Sequence, residues 1–187
     1  MKSSLPLTPS QTVGSFFTIG LSATENEGRL ASPVSSQISG EGEVISVVGR
    51  VFDGNQELVP DALIEIWQAD AMGSLSNQNF FGFARSHTGD NAEGKFAFRT
   101  VKPGPRSDTE APCISVVVTM RGLLTQLYTR LYFSDESAAN DKDQLLSRVP
   151  EARRDSLIAK CTEDDGERIY IFDICMQGDE ETVFFHL

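Results

Sequence analysis

Beyond Gly42, apolar and polar residues alternate with a period of two through most of the chain, and this rhythm predicts strands rather than helices. Val44 to Phe52 closes on the turn signal Asp53-Gly54-Asn55. Leu63, Glu65 and Trp67 alternate with Ile64, Ile66 and Gln68, and that segment ends at Asp70 and Gly73. From Gly94 to Val101, Phe96, Phe98 and Thr100 share one face and Lys95 and Arg99 the other, until Pro103 and Pro105 stop the strand. Strands are also predicted over residues 114–119 and 126–133, paired through a turn at Arg121-Gly122, and over 167–175 and 182–187, on either side of Gln177-Gly178-Asp179. Two stretches lose the alternation. Residues 134–148 and 150–160 predict one or two short helices, with Pro150 suited to a first helical position. A polar loop from about Met72 to Phe83 separates two of the strands and is long enough to carry function. Many short strands between turn signals make the expected fold class all-β, a β-sandwich.

Residues 1–40 show neither period. Pro6, Pro9, Gly14, Gly20, Gly28 and Pro33 keep interrupting them, so they read as an extended N-terminal arm ahead of a sandwich domain at 41–187. Phe16 and Phe17 are costly to leave in water, so the arm is expected to lie against its own domain or against a partner chain.

Composition narrows the function more than the fold. The chain has 187 residues, 40% of them hydrophobic, enough for one domain with one core. Lys and Arg total 16 against 27 Asp and Glu, a net charge of −11 that argues against nucleic acid or anionic lipid as a general partner. An anionic substrate then needs a local cation. Neither an 18-residue apolar run nor an apolar N-terminal h-region is visible, so a cytoplasmic location is expected. Cys113, Cys161 and Cys175 are widely spaced, without a Cys-x-x-Cys pair, and read as three buried reduced thiols. Glu163-Asp164-Asp165 beside Gly166 reads as a solvated turn between a helix and a strand.

Only His87 and His186 are available for triads or metal clusters, and no phosphate-binding glycine motif occurs. Asp70, Asp90 and Glu93 sit where carboxylates form turns. Arg130 is the stronger candidate. In Leu127-Tyr128-Thr129-Arg130-Leu131-Tyr132-Phe133, period two puts Tyr128, Arg130 and Tyr132 on one face and Leu127, Thr129, Leu131 and Phe133 on a core face. An arginine between two tyrosines can offer a bidentate fork to a planar carboxylate. Spacing alone allows equally a strand arginine paired with one of the chain's many acids.

Five stretches, taken together, resemble the intradiol ring-cleavage dioxygenases: Thr8 to Gly14, Glu65 to Asp70, Thr100 to Gly104, Tyr128 to Phe133, and Gly178 to Phe185. The resemblance implies a β-sandwich of that family's type, and the insertion of both atoms of dioxygen into a catechol ring at a non-haem ferric iron held by two tyrosines and two histidines. This chain departs from the pattern at each ligand. The tyrosine positions fall at or beside Leu75 and Arg106, and the His-x-His pair falls within Pro112 to Val116. Leucine and valine cannot ligate a metal, and arginine stays protonated.

In heteromeric members of the family a beta subunit carries the iron and a degenerate alpha copy closes the pocket. The resemblance therefore implies an iron-free alpha subunit. Its homologous partner beta subunit would bind Fe(III), and the hetero-oligomer would convert 3,4-dihydroxybenzoate and O2 to 3-carboxy-cis,cis-muconate. By the same resemblance Arg130 faces the substrate carboxylate, and Thr12, Gly14, Ser15 and Phe16 line the pocket mouth, with Ser15 standing where proline, and Phe16 where tyrosine, is usual. A metal-free β-sandwich that holds a ligand or scaffolds a complex is the alternative.

Overall fold

The structure, a computed structural model, describes residues 7–14, 16–18, 20–21, 34–89 and 92–186. The described residues form nine strands, eight of them along one hydrogen-bonded path: β1 Val44–Phe52, β2 Leu63–Trp67, β3 Phe83–His87, β4 Lys95–Val101, β5 Cys113–Thr119, β6 Leu127–Phe133, β7 Ile158–Asp164, β8 Glu167–Ile171 and β9 Ile174–Cys175. The order is β3-β2-β5-β6-β7-β8-β1-β4, with β9 beside β1. The path folds into two layers, β3-β2-β5-β6 against β7-β8-β1-β4, and the expected sandwich is what forms. Backbone pairing joins the layers through a short parallel contact, Tyr132 with Ile158 and Phe133 with Ala159.

Alternation explains the core. In β1 every second residue from Ile45 is buried, and in β4 Phe96, Phe98 and Thr100 point inward as the sequence predicts. Ile64, Ile66, Ile114, Val116, Leu131 and Phe133 from one layer meet Ile45, Val47, Phe96, Phe98 and Tyr170 from the other in a single cluster. Phe133 and Tyr170 pack edge to face, with centroids 4.8 Å apart. The segment preceding β1 is already engaged. Ile38 is buried in this core, its N–H donates to the Arg99 carbonyl, and Arg85 donates its N–H to the Ser35 carbonyl.

Five sequence expectations need correction. The interval after β2 holds a strand as well as a loop: Phe83–His87 lacks β-branched residues, yet it pairs along the whole of β2. The second helical stretch stops early. Pro150 is the N-cap of a four-residue helix, α2 Glu151–Arg154, and after a 3-10 turn the chain enters β7, because pairing of Ile158 and Ala159 with β6, and of Lys160 onward with β8, outweighs the helix-compatible character of Ile158 and Ala159. The acidic turn therefore lies between two strands. Residues 182–186 form no strand: Phe185 bridges Tyr128, and Thr182 hydrogen-bonds to Cys175. The other short helix, α1 Ser137–Asn140, follows a 3-10 turn directly after β6. The three cysteines are free thiols as expected, but each is only half-buried. Among the described residues no helix is long and apolar enough to cross a membrane.

Candidate functional site

The start of the loop after β2 is held in place by hydrogen bonds. Gln68 is buried; its Nε2 donates to the Val101 carbonyl at 2.7 Å, and its Oε1 accepts the Thr100 hydroxyl at 2.8 Å, so one side chain ties β2 to β4. Asp70 Oδ1 accepts the N–H groups of Met72 and Ser74 at 3.0 and 2.8 Å, and Oδ2 accepts Asn77 Nδ2 at 2.8 Å. These bonds hold its carboxyl below the usual carboxylate range, the Asn77 bond most. Gly73, at φ +81°, lies where an added Cβ would meet the Pro105 carbonyl oxygen at 2.0 Å, so the loops after β2 and β4 touch backbone to backbone. His87 Nδ1 accepts the Gly89 N–H at 3.1 Å, a local turn role.

The outer face of the β3-β2-β5-β6 layer carries a row of register partners: Phe83, Trp67, Ser115 and Arg130. At one end Trp67 remains 47% exposed and meets Phe81 and Phe83 at centroid distances of 6.4 and 6.0 Å. At the other end stands Arg130, flanked by Tyr128 and Tyr132 as the alternation requires. Leu131 and Phe133 face the main core, and Thr129 is buried with its hydroxyl on the Val183 carbonyl at 2.7 Å.

The outer face near Arg130 is not bare. A second cluster of Ala111, Tyr132, Leu146, Val149 and Leu157 packs on it, with Cys113 and Phe185 at its margin. This covering half-buries the arginine. Its Nη1 is shielded from solvent and has no hydrogen-bond partner among the described residues. Glu110, the acid whose charge reaches it, is engaged with Arg106 at 2.8 Å. Burial works against the guanidinium charge, but Cys113 and Tyr132 outweigh it and hold the pKa above the ordinary arginine value. Arg130 is thus charged at any pH the fold survives. Burial raises the Cys113 thiol pKa, against the opposing pull of Arg130 and Arg106.

Beneath the arginine lies a residue the sequence did not single out. Asp143 is fully buried and acts only as an acceptor: Oδ2 takes the Ala111 N–H at 2.9 Å, and Oδ1 takes the Leu145 and Leu146 N–H groups at 2.9 and 2.7 Å and the Tyr132 hydroxyl at 3.1 Å. Its one sequence signal is an Asp shortly before Leu145-Leu146, a turn-former pattern.

The arm residues stand apart from Arg130. Thr12 Oγ1 accepts the Gly122 N–H at 2.8 Å, at the tip of the β5–β6 hairpin. Leu127, where β6 begins, is three residues and so roughly 10 Å from Arg130. Gly14 accepts the Phe17 N–H, and Phe16 is 78% exposed. Ser15 lies outside the described residues. The positions where the resemblance places metal ligands hold an exposed Leu75, the Glu110-paired Arg106, and Cys113 and Ser115 on the outer face of β5. This donor set does not fit a ferric iron, and no group of three or more His, Cys, Asp or Glu could hold a metal among the described residues. A cleft of about 660 Å³ lies elsewhere, lined by Arg153, Ile158, Lys160, Asp173 and Glu181, and Arg130 is no part of it.

A dioxygenase family model matches residues 21–178. The alpha chain of protocatechuate 3,4-dioxygenase from Burkholderia cepacia is 44% identical over 97% of this chain and 98% of its own length. The beta chain of the same organism's enzyme is 32% identical over 75% of this chain and 67% of its own. Among solved structures, the dioxygenase domain of a carbohydrate-binding fusion from Streptomyces sp. SirexAA-E superposes with a TM-score of 0.62 at 23% identity, covering 94% of this chain and all of that one.

Proposed function

This chain belongs to the intradiol ring-cleavage dioxygenases, and from that premise we propose that it serves as the alpha subunit of a heteromeric enzyme of the protocatechuate 3,4-dioxygenase type. Its near full-length likeness to an alpha chain, greater than that to a beta chain, favours this reading over a free-standing binding module. The iron belongs to a beta partner and supplies the activation of the catechol toward dioxygen. This chain supplies a wall and a charge.

The observation that carries the reading is the half-exposed guanidinium of Arg130 on the outer face of β6, which enters no ion pair among the described residues. A half-buried guanidinium without an anionic partner is partly desolvated, and a ligand oxygen that accepts from its exposed side recovers part of that loss. A carboxylate does so best, because the bond is charge-assisted and the guanidinium fork matches two oxygens. Bound there, the carboxylate of 3,4-dihydroxybenzoate fixes the opposite end of the ring, which bears the two hydroxyls, in one orientation toward the partner's metal. The arm is pinned by Thr12 to the β5–β6 turn, and Gly14 and the exposed Phe16 that follow border the pocket mouth against the partner.

Arg130→Ala in the assembled enzyme removes a charged hydrogen bond of about 1.5–3 kcal/mol. The expected result is a KM for 3,4-dihydroxybenzoate raised roughly 10- to 100-fold, while the KM for catechol, which has no carboxylate, stays within about twofold. Equal losses on both substrates would refute a carboxylate-binding role.

A further inference from the structure

Arg130 and Tyr132 share the outer face of β6, two residues apart, and Tyr132 is fully buried while Arg130 keeps one shielded nitrogen unpartnered. The phenol has a single O–H, and Asp143 receives it at 3.1 Å. With its proton directed to Asp143, the Tyr132 oxygen can only accept from the guanidinium. We propose that Asp143 and Tyr132 form a positioning relay for Arg130: the buried carboxylate sets the direction of the phenol O–H, the phenol oxygen steadies the guanidinium, and the exposed side of the guanidinium is left to the substrate carboxylate. Each of the paired groups shifts the other's proton affinity, in accord with their closeness.

The order of the relay has a physical point. An acid placed directly against Arg130 would neutralise the charge meant for the substrate. A neutral phenol between them orients the arginine and leaves its charge uncommitted, while the acid is held by the Ala111, Leu145 and Leu146 amides. Asp143 sits in the segment that crosses over β6 after α1, so that segment takes part in specificity although it touches neither metal nor ring.

This inference rests on the carboxylate-binding reading of Arg130, and the experiment separates the two. In the assembled enzyme, Tyr132→Phe keeps the ring and its packing and deletes only the hydroxyl. The KM for 3,4-dihydroxybenzoate is expected to rise about three- to tenfold, with kcat and the KM for catechol within about twofold. In an Arg130→Ala background the same change is expected to have no further effect on KM, since it acts through the arginine. Asp143→Asn is expected to reproduce the Tyr132→Phe pattern where it folds, and Tyr132→Phe decides the matter alone where it does not. If Arg130→Ala shows the carboxylate-selective loss and Tyr132→Phe leaves both KM values unchanged, the relay is refuted and the role of Arg130 stands. If Arg130→Ala itself shows no selectivity, both fall.

Discussion

Gln68 shows how much one side chain can settle. Its amide is buried between β2 and β4, giving a proton to the Val101 carbonyl and taking one from Thr100, and so it fixes the spacing from which the loop after β2 departs. Gln68→Leu keeps the volume and strands two buried polar partners. The expected cost is about 2–3 kcal/mol, read as a lower midpoint in urea denaturation with an unchanged slope. The sequence shows the Trp-Gln-Ala-Asp string but not this role, because its partners lie thirty-odd residues away on a strand whose register only the fold defines. Asp70 was legible, since its partners lie within seven residues. Arg130 was legible as well, because period two places it off the core face whatever the strand pairs with. Asp143 was not: it reaches Tyr132 only after the chain has turned back over β6, and a short-range pattern carries no record of that return.

At the scale of elements, hydrophobic alternation located the strands that form the core and failed where pairing alone makes the strand. β3 and β7 are such cases: Phe-Ala-Arg-Ser-His is weak β sequence, and Ile-Ala-Lys follows a helical turn. Each becomes a strand because a neighbour offers unpaired backbone. The β7–β8 hairpin then needs a tight reversal, supplied by Asp165 at φ +48° and Gly166 at φ +80°. Two consecutive positive φ values are those of the turn that matches strand twist. No atom lies within 4 Å of a Cβ built on Gly166, so Gly166→Ala meets only the backbone penalty. The expected loss is about 1 kcal/mol in equilibrium unfolding, with activity of the assembled enzyme unchanged at saturating substrate.

For the molecule as a whole, ion pairs bind the two layers where backbone pairing is thin. Lys102, just beyond β4, donates to Asp135 and Glu136 beyond β6 at 2.8 and 2.7 Å, and Asp135 also accepts from Arg168 and from the Tyr170 hydroxyl, both at 3.0 Å. Burial pushes the Asp135 carboxyl upward, but the Lys102 and Tyr170 bonds outweigh it and hold it below its usual value. Its pKa is therefore lower folded than unfolded, and its stabilisation is complete above the unfolded value of about 3.9 and fades as pH falls through the folded one. Lys102 behaves in the opposite sense. Burial pulls it down, Asp135 and Glu136 lift it above the ordinary lysine value, and its contribution holds until pH climbs through that raised value. Tyr170, pushed up to about 12 chiefly by burial, likewise keeps its proton through the neutral range. Asp135→Asn should lower the thermal midpoint at pH 7, by about 1–2 kcal/mol in stability, and the gap to the parent protein should narrow only as pH falls below about 4. A gap that stays constant with pH would exclude an ionic origin. The net charge of −11 made acids easy to count and did not say which of them are engaged across the sandwich.

The parallel contact between β6 and β7 spans just two residue pairs, and one of its members is Tyr132. The seam that keeps the halves of the sandwich in step thus lies two residues from Arg130, the arginine proposed to bind the substrate carboxylate. If Arg130 binds the substrate as proposed, a substitution that weakens this two-pair joint is expected to raise the KM for 3,4-dihydroxybenzoate before it lowers the denaturation midpoint.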